Sequence, residues 1–272
     1  MFFKRKLVVF GLVVIAILII VAIFAPWIAP HDPFKQNLTN IRGAPSWTHP
    51  LGTDTLGRDL LSRIIYGSRT SLIVGVVAIG LAASIGISLG LIAGYFGGII
   101  NTVIMRTIDA MLAVPLILLA LTIAALLGSG LSNIVIALGI GLVPPYARLV
   151  AGQTMMLKEH DYVSFLRAIG ASHARILLRH ILPNSFPPVI VLMTTMLGQA
   201  ILAEAGLSFL GVGVTPPDAA WGAMVSEGYR YLFTTPMLSF APGLAIMLTV
   251  FAVNMVGDGL RDALDPRLRG SL

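Results

Sequence analysis

The sequence predicts an all-α, polytopic membrane protein with six transmembrane helices. The first observation behind this is bulk composition: 57% of the 272 residues are hydrophobic, 11% are charged, and the mean hydropathy is +0.92. Soluble domains carry about 25% charged residues, so water alone cannot solvate this chain. The second is the presence of six apolar stretches close to the roughly 20 residues that a helix needs to cross a bilayer. They are residues 7–28, 71–93, 107–127, 133–150, 188–207 and 238–256. The third is where the charges fall. The net charge of +6 comes from basic residues at the ends of apolar runs rather than from one polar face, which excludes nucleic acid as a partner and points to lipid.

The first stretch follows Lys4, Arg5 and Lys6. Its apolar core is unbroken from Leu7 to Phe24, longer than a signal-peptide core, and no small-x-small cleavage site follows. It is therefore expected to be a retained anchor. Placing it N-terminus-in also puts Arg106, Lys158, Arg167, Arg175, Arg179, Arg261, Arg267 and Arg269 inside, while the outside connections 128–132 and 208–237 hold only Arg230. That asymmetry is the positive-inside pattern, and the even number of spans puts the C-terminus inside too. The long first outside loop departs from it, with Lys35, Arg42, Arg58, Arg63 and Arg69. Three parts follow: an anchor and outer loop (1–70), a transmembrane unit (71–260) containing an inside loop (151–187), and an inside tail (261–272).

Helix interiors add packing detail. Gly86, Gly90 and Gly94 recur every four residues in the second span and form a strip that another backbone can approach closely. Pro115 and the Pro144–Pro145 pair remove backbone donors and should bend the third and fourth spans. In the first outer loop Leu56, Leu60 and Ile64 form a stripe, with Asp59 and Arg63 four apart on the polar side, which predicts a short amphipathic helix at the outer interface.

The inside loop is too polar to span and too patterned to be a plain linker. Val163, Leu166, Ile169, Ile176 and Leu177 recur at helical spacing, Gly170 interrupts them and Pro183 follows. Two short amphipathic helices meeting at a glycine elbow are expected, with an apolar edge for a partner's groove or for the lipid surface.

The run Arg167-Ala168-Ile169-Gly170-Ala171-Ser172, followed by Arg179-His180-Ile181-Leu182-Pro183-Asn184, resembles the "EAA loop" of bacterial ABC importer permeases. Other segments are similar to the dipeptide/oligopeptide/nickel branch of that family: His49-Pro50-Leu51-Gly52-Thr53-Asp54 through Gly57-Arg58-Asp59; Leu207-Ser208-Phe209-Leu210-Gly211-Val212-Gly213 with Trp221-Gly222-Ala223-Met224; and Gly257-Asp258-Gly259-Leu260-Arg261-Asp262 with Leu264-Asp265-Pro266-Arg267. The size and the last motif resemble the C-type subunit. The resemblance implies a type I importer permease in the bacterial inner membrane, forming half of a path for dipeptides or oligopeptides, with nickel or glutathione as alternatives. It also implies a second homologous permease in a heterodimer, two ATPase subunits carrying ATP and Mg, and a periplasmic or lipid-anchored binding protein. The loop helix, including Ser164, Phe165, Leu166, Arg167, Ala168, Gly170, Ala171, Leu182 and Pro183, would be the ATPase-coupling element. Ser164, Phe165 and Leu166 stand where the family has Glu-Ala-Ala, so the acidic residue is absent, and apolar contact by Phe165 and Leu166 is the expected substitute.

The chain has no phosphate-binding glycine loop; its lysines are Lys4, Lys6, Lys35 and Lys158, none placed after such glycines. ATP hydrolysis is thus expected on other chains, and no cofactor on this one. It has no cysteine, and His160, His173 and His180 in the inside loop form no recognisable ligand motif, so neither a metal centre nor a catalytic set is expected. Glu204, near the outer end of the fifth span, is the notable acidic group at membrane depth. It either faces the translocation path or pairs with a basic residue such as Arg230 or with a partner subunit. Arg106 and Asp109 are spaced to pair, and Arg148 to snorkel. An ion-driven carrier would bury several ionisable groups at mid-membrane, which this chain lacks, and a membrane-embedded enzyme would need a catalytic constellation.

Overall fold

The computed structural model describes residues 6–215 and 217–264. Lys4 and Arg5, Pro216, the Asp265-Pro266-Arg267 part of the last motif, Arg269 and most of the expected tail lie outside the described residues. Within them the chain is helical and has no strand. The helices are α1 (Lys6–Ile23), α2 (Ala25–Ile28), α3 (Leu60–Phe96), α4 (Gly98–Leu112), α5 (Leu116–Leu127), α6 (Leu131–Gly141), α7 (Val143–Leu157), α8 (Asp161–Ala168), α9 (His173–Ile176), α10 (Leu182–Phe209), α11 (Trp221–Tyr229) and α12 (Met237–Leu264).

Five helical stretches are long and apolar enough to cross a membrane alone: α1, α3, α6 with α7, α9 through α10, and α12. The third expected span carries the bend expected at Pro115, but it begins earlier, at Gly98. It is a pair, α4 and α5, bent by 95° at Ala113–Pro115, and only as a unit does it make a sixth crossing. Pro115 is the cause. It has no N–H to give the preceding turn, and its extended backbone (φ −55°, ψ 136°) restarts the chain as the N-cap of α5. The fourth span is interrupted more gently, at Leu142, with Pro144 and Pro145 in the first turn of α7, where a missing donor costs little.

The amphipathic helix expected in the first loop is corrected. Leu60 and Ile64 belong to α3, which runs 37 residues, roughly 55 Å. That exceeds the ~30 Å hydrocarbon core, so α3 carries about 25 Å of helix beyond the lipid. Asp59 is the α3 N-cap, accepting from Ser62 N at 2.8 Å and Ser62 Oγ at 2.6 Å, rather than the partner of Arg63.

The core is organised around α3 and α7. A Cβ on Gly86 would stand 2.5 Å from Tyr146 Cβ, one on Gly90 2.7 Å from the Ala147 carbonyl, and one on Gly94 2.6 Å from Thr154 Cβ. The two backbones therefore touch over two turns, and Ala82, Tyr146, Ala147 and Val150 are buried around them. Helices in lipid gain nothing from excluding water, so such close dispersion contact is what holds them. On the other flank α12 packs against α1 and α10, with Phe10 edge-on to Phe251 at 6.4 Å.

Substituting Gly90→Val should push α3 off α7, an overpacking cost of about 1–3 kcal/mol. Gly80→Ala, where nothing lies within 4 Å of the added carbon, should be neutral. Thermal melting of the detergent-solubilised protein, followed by size exclusion, would read both, and equal melting of the two variants would contradict the packing account.

Candidate functional site

The glycine-interrupted motif of residues 157–187 folds as an elbow at the end of the bundle where α3 finishes. Helix α8 carries Asp161 in its first turn and Arg167 in its last, both favourable to the helix dipole. Gly170 then turns the chain with φ +78°, a left-handed conformation natural to glycine, and Ala171 N closes the turn on the Leu166 carbonyl at 3.0 Å. Ser172 caps α9.

The second loop helix does not stop at Pro183. A π-turn over Leu177–Ile181 carries α9 directly into α10, giving one helical rod from His173 to Phe209. The wider π-turn accommodates the proline, and Asn184 Nδ2 (2.6 Å) and Ser185 Oγ (3.0 Å) donate to the carbonyls of His180 and Ile181. Leu182 and Pro183 thus sit at the entry to α10 rather than at the end of a separate loop helix.

The loop's apolar edge divides in two. Val163 and Ile176 are fully buried and Leu166, Ala171 and Leu177 are partly buried, all in the cluster around Tyr95, Tyr146 and Val150. The edge expected to serve a partner is therefore largely consumed by the chain's own bundle. The apolar side chains that remain outward include Phe165, 65% exposed, and Ile169, 61% exposed, beside exposed Ser164, Arg167 and Ala168, and Leu178, 62% exposed, further along.

The end of α3 braces the elbow. Tyr95 Oη lies 2.9 Å from His173 Nδ1, the Tyr95 and Phe96 rings both stand edge-on to His173, and Arg167 lies 5.2 Å over the Tyr95 ring. Sequence reasoning missed Tyr95 and Phe96. Their signal was an aromatic pair closing the glycine row one residue after Gly94. At the same end Asp109 pairs with Arg148 of α7, not with Arg106, which ties α4 to α7.

At the opposite end the first loop folds around buried charges. Asp54 accepts from Leu56 N and Arg58 N, both at 2.9 Å, and from Arg58 Nε at 2.6 Å, and its carboxylate lies 3.3 Å from Arg63 Nε. Arg58 also reaches Glu227 on α11 at 3.5 Å, and Thr55 donates to the same carboxylate. Burial, and then the charge of Asp54, push the Glu227 carboxyl above the ordinary range, against the pull of Arg58, Arg63 and Arg230. A cavity of about 370 Å³ opens beside this cluster, with Arg230, Asp218 and Tyr231 on its wall. Trp221 locks α11 to α3: its Nε1 donates to the Ile64 carbonyl at 2.9 Å, and its ring fills the space that Gly67 leaves open.

Glu204 sits between these ends and is wholly buried within the chain. It accepts from Ser208 Oγ at 2.7 Å and from Ser71 Oγ at 3.5 Å, so its partners are serines of α10 and α3 rather than Arg230.

Residues 86–270 match the family of binding-protein-dependent transport system inner membrane components, and residues 1–45 match the N-terminal transmembrane domain of oligopeptide transport permease C. The glutathione transport system permease protein GsiD of Escherichia coli O6:K15:H31 (strain 536 / UPEC) is 45% identical over 257 residues, covering 94% of this chain and 85% of the relative. The same protein from Shigella dysenteriae serotype 1 (strain Sd197) is 44% identical with the same coverage. Among solved structures, an inward-facing MetNI methionine ABC transporter chain matches with a TM-score of 0.60 at 19% identity, over 76% of this chain and 98% of that one, a likeness of fold. The chain belongs to the binding-protein-dependent transport system inner membrane components, the permease subunits of ABC importers.

Proposed function

We propose that this chain is one half of a heterodimeric permease for peptide-sized solutes, driven through its α8 elbow by ATPase subunits, with both termini on the ATPase side. The observation that carries the reading is the pair of exposed apolar side chains, Phe165 and Ile169, on a polar loop helix whose inner face is anchored by Val163. A helix held rigidly by its own bundle and offering two large apolar groups is suited to a groove on a soluble subunit. It also suits the loss of the acidic residue at Ser164, since apolar burial takes the place of an ion pair. The 45% identical relatives support a substrate in the class of dipeptides, oligopeptides or the tripeptide-like glutathione, presented by a binding protein on the far side. ATP and Mg are held by the partner subunits.

The double substitution Phe165→Asp with Ile169→Asp, in the transporter assembled with its companion subunits, should cut ATPase docking by a hot-spot amount, about 2 kcal/mol or roughly 30-fold in affinity. Binding-protein-stimulated ATP hydrolysis and solute uptake should fall together in proteoliposomes. Retention of both would remove the coupling reading.

Glu204 is proposed as an internal latch joining α10 to α3, not as a group that meets the solute. Glu204→Gln keeps hydrogen-bonding capacity toward Ser71 and Ser208, so uptake and substrate range should be unchanged, whereas Glu204→Leu should reduce the amount of assembled permease by leaving two serines without that partner. A changed substrate preference in Glu204→Gln would instead place the carboxyl on the path.

A further inference from the structure

We propose that His31, His49 and Asp59 form a binding site for one borderline divalent transition-metal ion of the Zn²⁺, Ni²⁺ or Co²⁺ kind. The site lies at the end of the bundle where α3 begins. A ring nitrogen of each histidine and a carboxylate oxygen of Asp59 lie within 4.8 Å of one another, and the two imidazoles are 4.7 Å apart between centroids. Two imidazoles and one carboxylate are a donor set suited to these ions, and three protein ligands leave a coordination position for water or another donor.

The surroundings fit a metal site. His31 Nε2 lies 2.7 Å from the Thr48 carbonyl, which fixes the proton there and leaves Nδ1 as a free lone pair. Asp59 Oδ2 accepts from Ser62 N at 2.8 Å and Ser62 Oγ at 2.6 Å, so the carboxylate is oriented from behind while Oδ1 faces His49 Nδ1 at 2.9 Å. Two donors about 3 Å apart have the spacing of neighbouring ligands on a metal 2.0–2.2 Å from each. To serve as a ligand, His49 must present the Nδ1 lone pair, so its ring then carries a proton on Nε2 alone. Hydrogen bonds that hold ligands from outside are characteristic of protein metal sites. The backbone contributes as well, since His31 N donates to Ser62 Oγ at 3.0 Å, the same hydroxyl that holds Asp59. Asp59 is buried, His49 is half-buried and His31 is exposed, so an ion has a path from solvent on the His31 side.

The bound ion would clip the segment after α2, the His49 turn and the start of α3 together. This proposal stands apart from the identity of the transported solute, and its test needs no transport.

Calorimetric titration of the full-length chain, carried without a histidine tag in nanodiscs, with Zn²⁺, Ni²⁺ and Co²⁺ should give one equivalent of binding that EDTA reverses and that raises the melting temperature. His31→Gln, at an exposed position, should weaken binding by about 10–100-fold or more. The triple variant His160→Gln, His173→Gln, His180→Gln, altered at the other end of the bundle, should bind as the unaltered chain does. X-ray absorption of the unaltered chain with bound Zn²⁺ should show two imidazole ligands, a readout that does not depend on any variant folding. Absence of EDTA-reversible binding, fewer than two imidazoles, or binding that survives His31→Gln and disappears in the triple variant would overturn the proposal.

Discussion

The contact on which the rest of the structure depends is the one between the glycine face of α3 and the backbone of α7. Inside a bilayer there is no water to exclude, so two helices stay together only if their atoms approach closely enough for dispersion to add up. Gly86, Gly90 and Gly94 permit that over two turns, and each faces a different backbone or Cβ atom of α7. With side chains there, Tyr146, Val150 and Ile79 could not form one buried cluster, and the pocket that receives Val163 and Ile176 from the loop would not exist.

Because α3 is longer than the hydrocarbon is thick, it also joins two chemically unlike ends. At its start, buried Asp54, Arg58 and Arg63 are held by one another, by backbone donors and by Glu227 of α11. Buried ion pairs of this kind give definite geometry more than net stability, since their desolvation offsets much of the attraction, and Arg63 Nε is buried without a hydrogen bond. At its finish, Tyr95 and Phe96 grip His173 and Arg167 through aromatic contacts. A single helix thus sets the distance between the loop that meets one aqueous phase and the loop that meets the other.

Much of this was legible in the sequence because membranes impose strict lengths. The apolar runs located the spans, the glycine spacing located the close face, and Gly170 located the elbow. What the sequence hid was three-dimensional sharing. Leu60 and Ile64 have the periodicity of a surface helix, yet they are core residues beside Trp221, which is 157 positions from its hydrogen-bond acceptor Ile64. Asp109 has a basic residue three positions away but reaches Arg148 across the bundle instead. The reach of Pro183 was misjudged for a different reason: local rules end a helix at proline, while a π-turn lets the helix continue. Val163 and Phe165 have similar polarity in the sequence, and only the position of α3 decides which turns inward.

The uninterrupted rod from His173 to Phe209 has a mechanical consequence. At 37 residues it is roughly 55 Å long, so a tilt of about 5° applied at the elbow displaces the far tip by roughly 5 Å. Two joined shorter helices would dissipate such a tilt at their junction, whereas a continuous shaft carries it on, past the missing backbone donors of Pro187 and Pro188, toward the neighbourhood of Ser208 and α11. The bulge that carries the chain past Pro183 therefore makes a lever out of what would otherwise be a hinge.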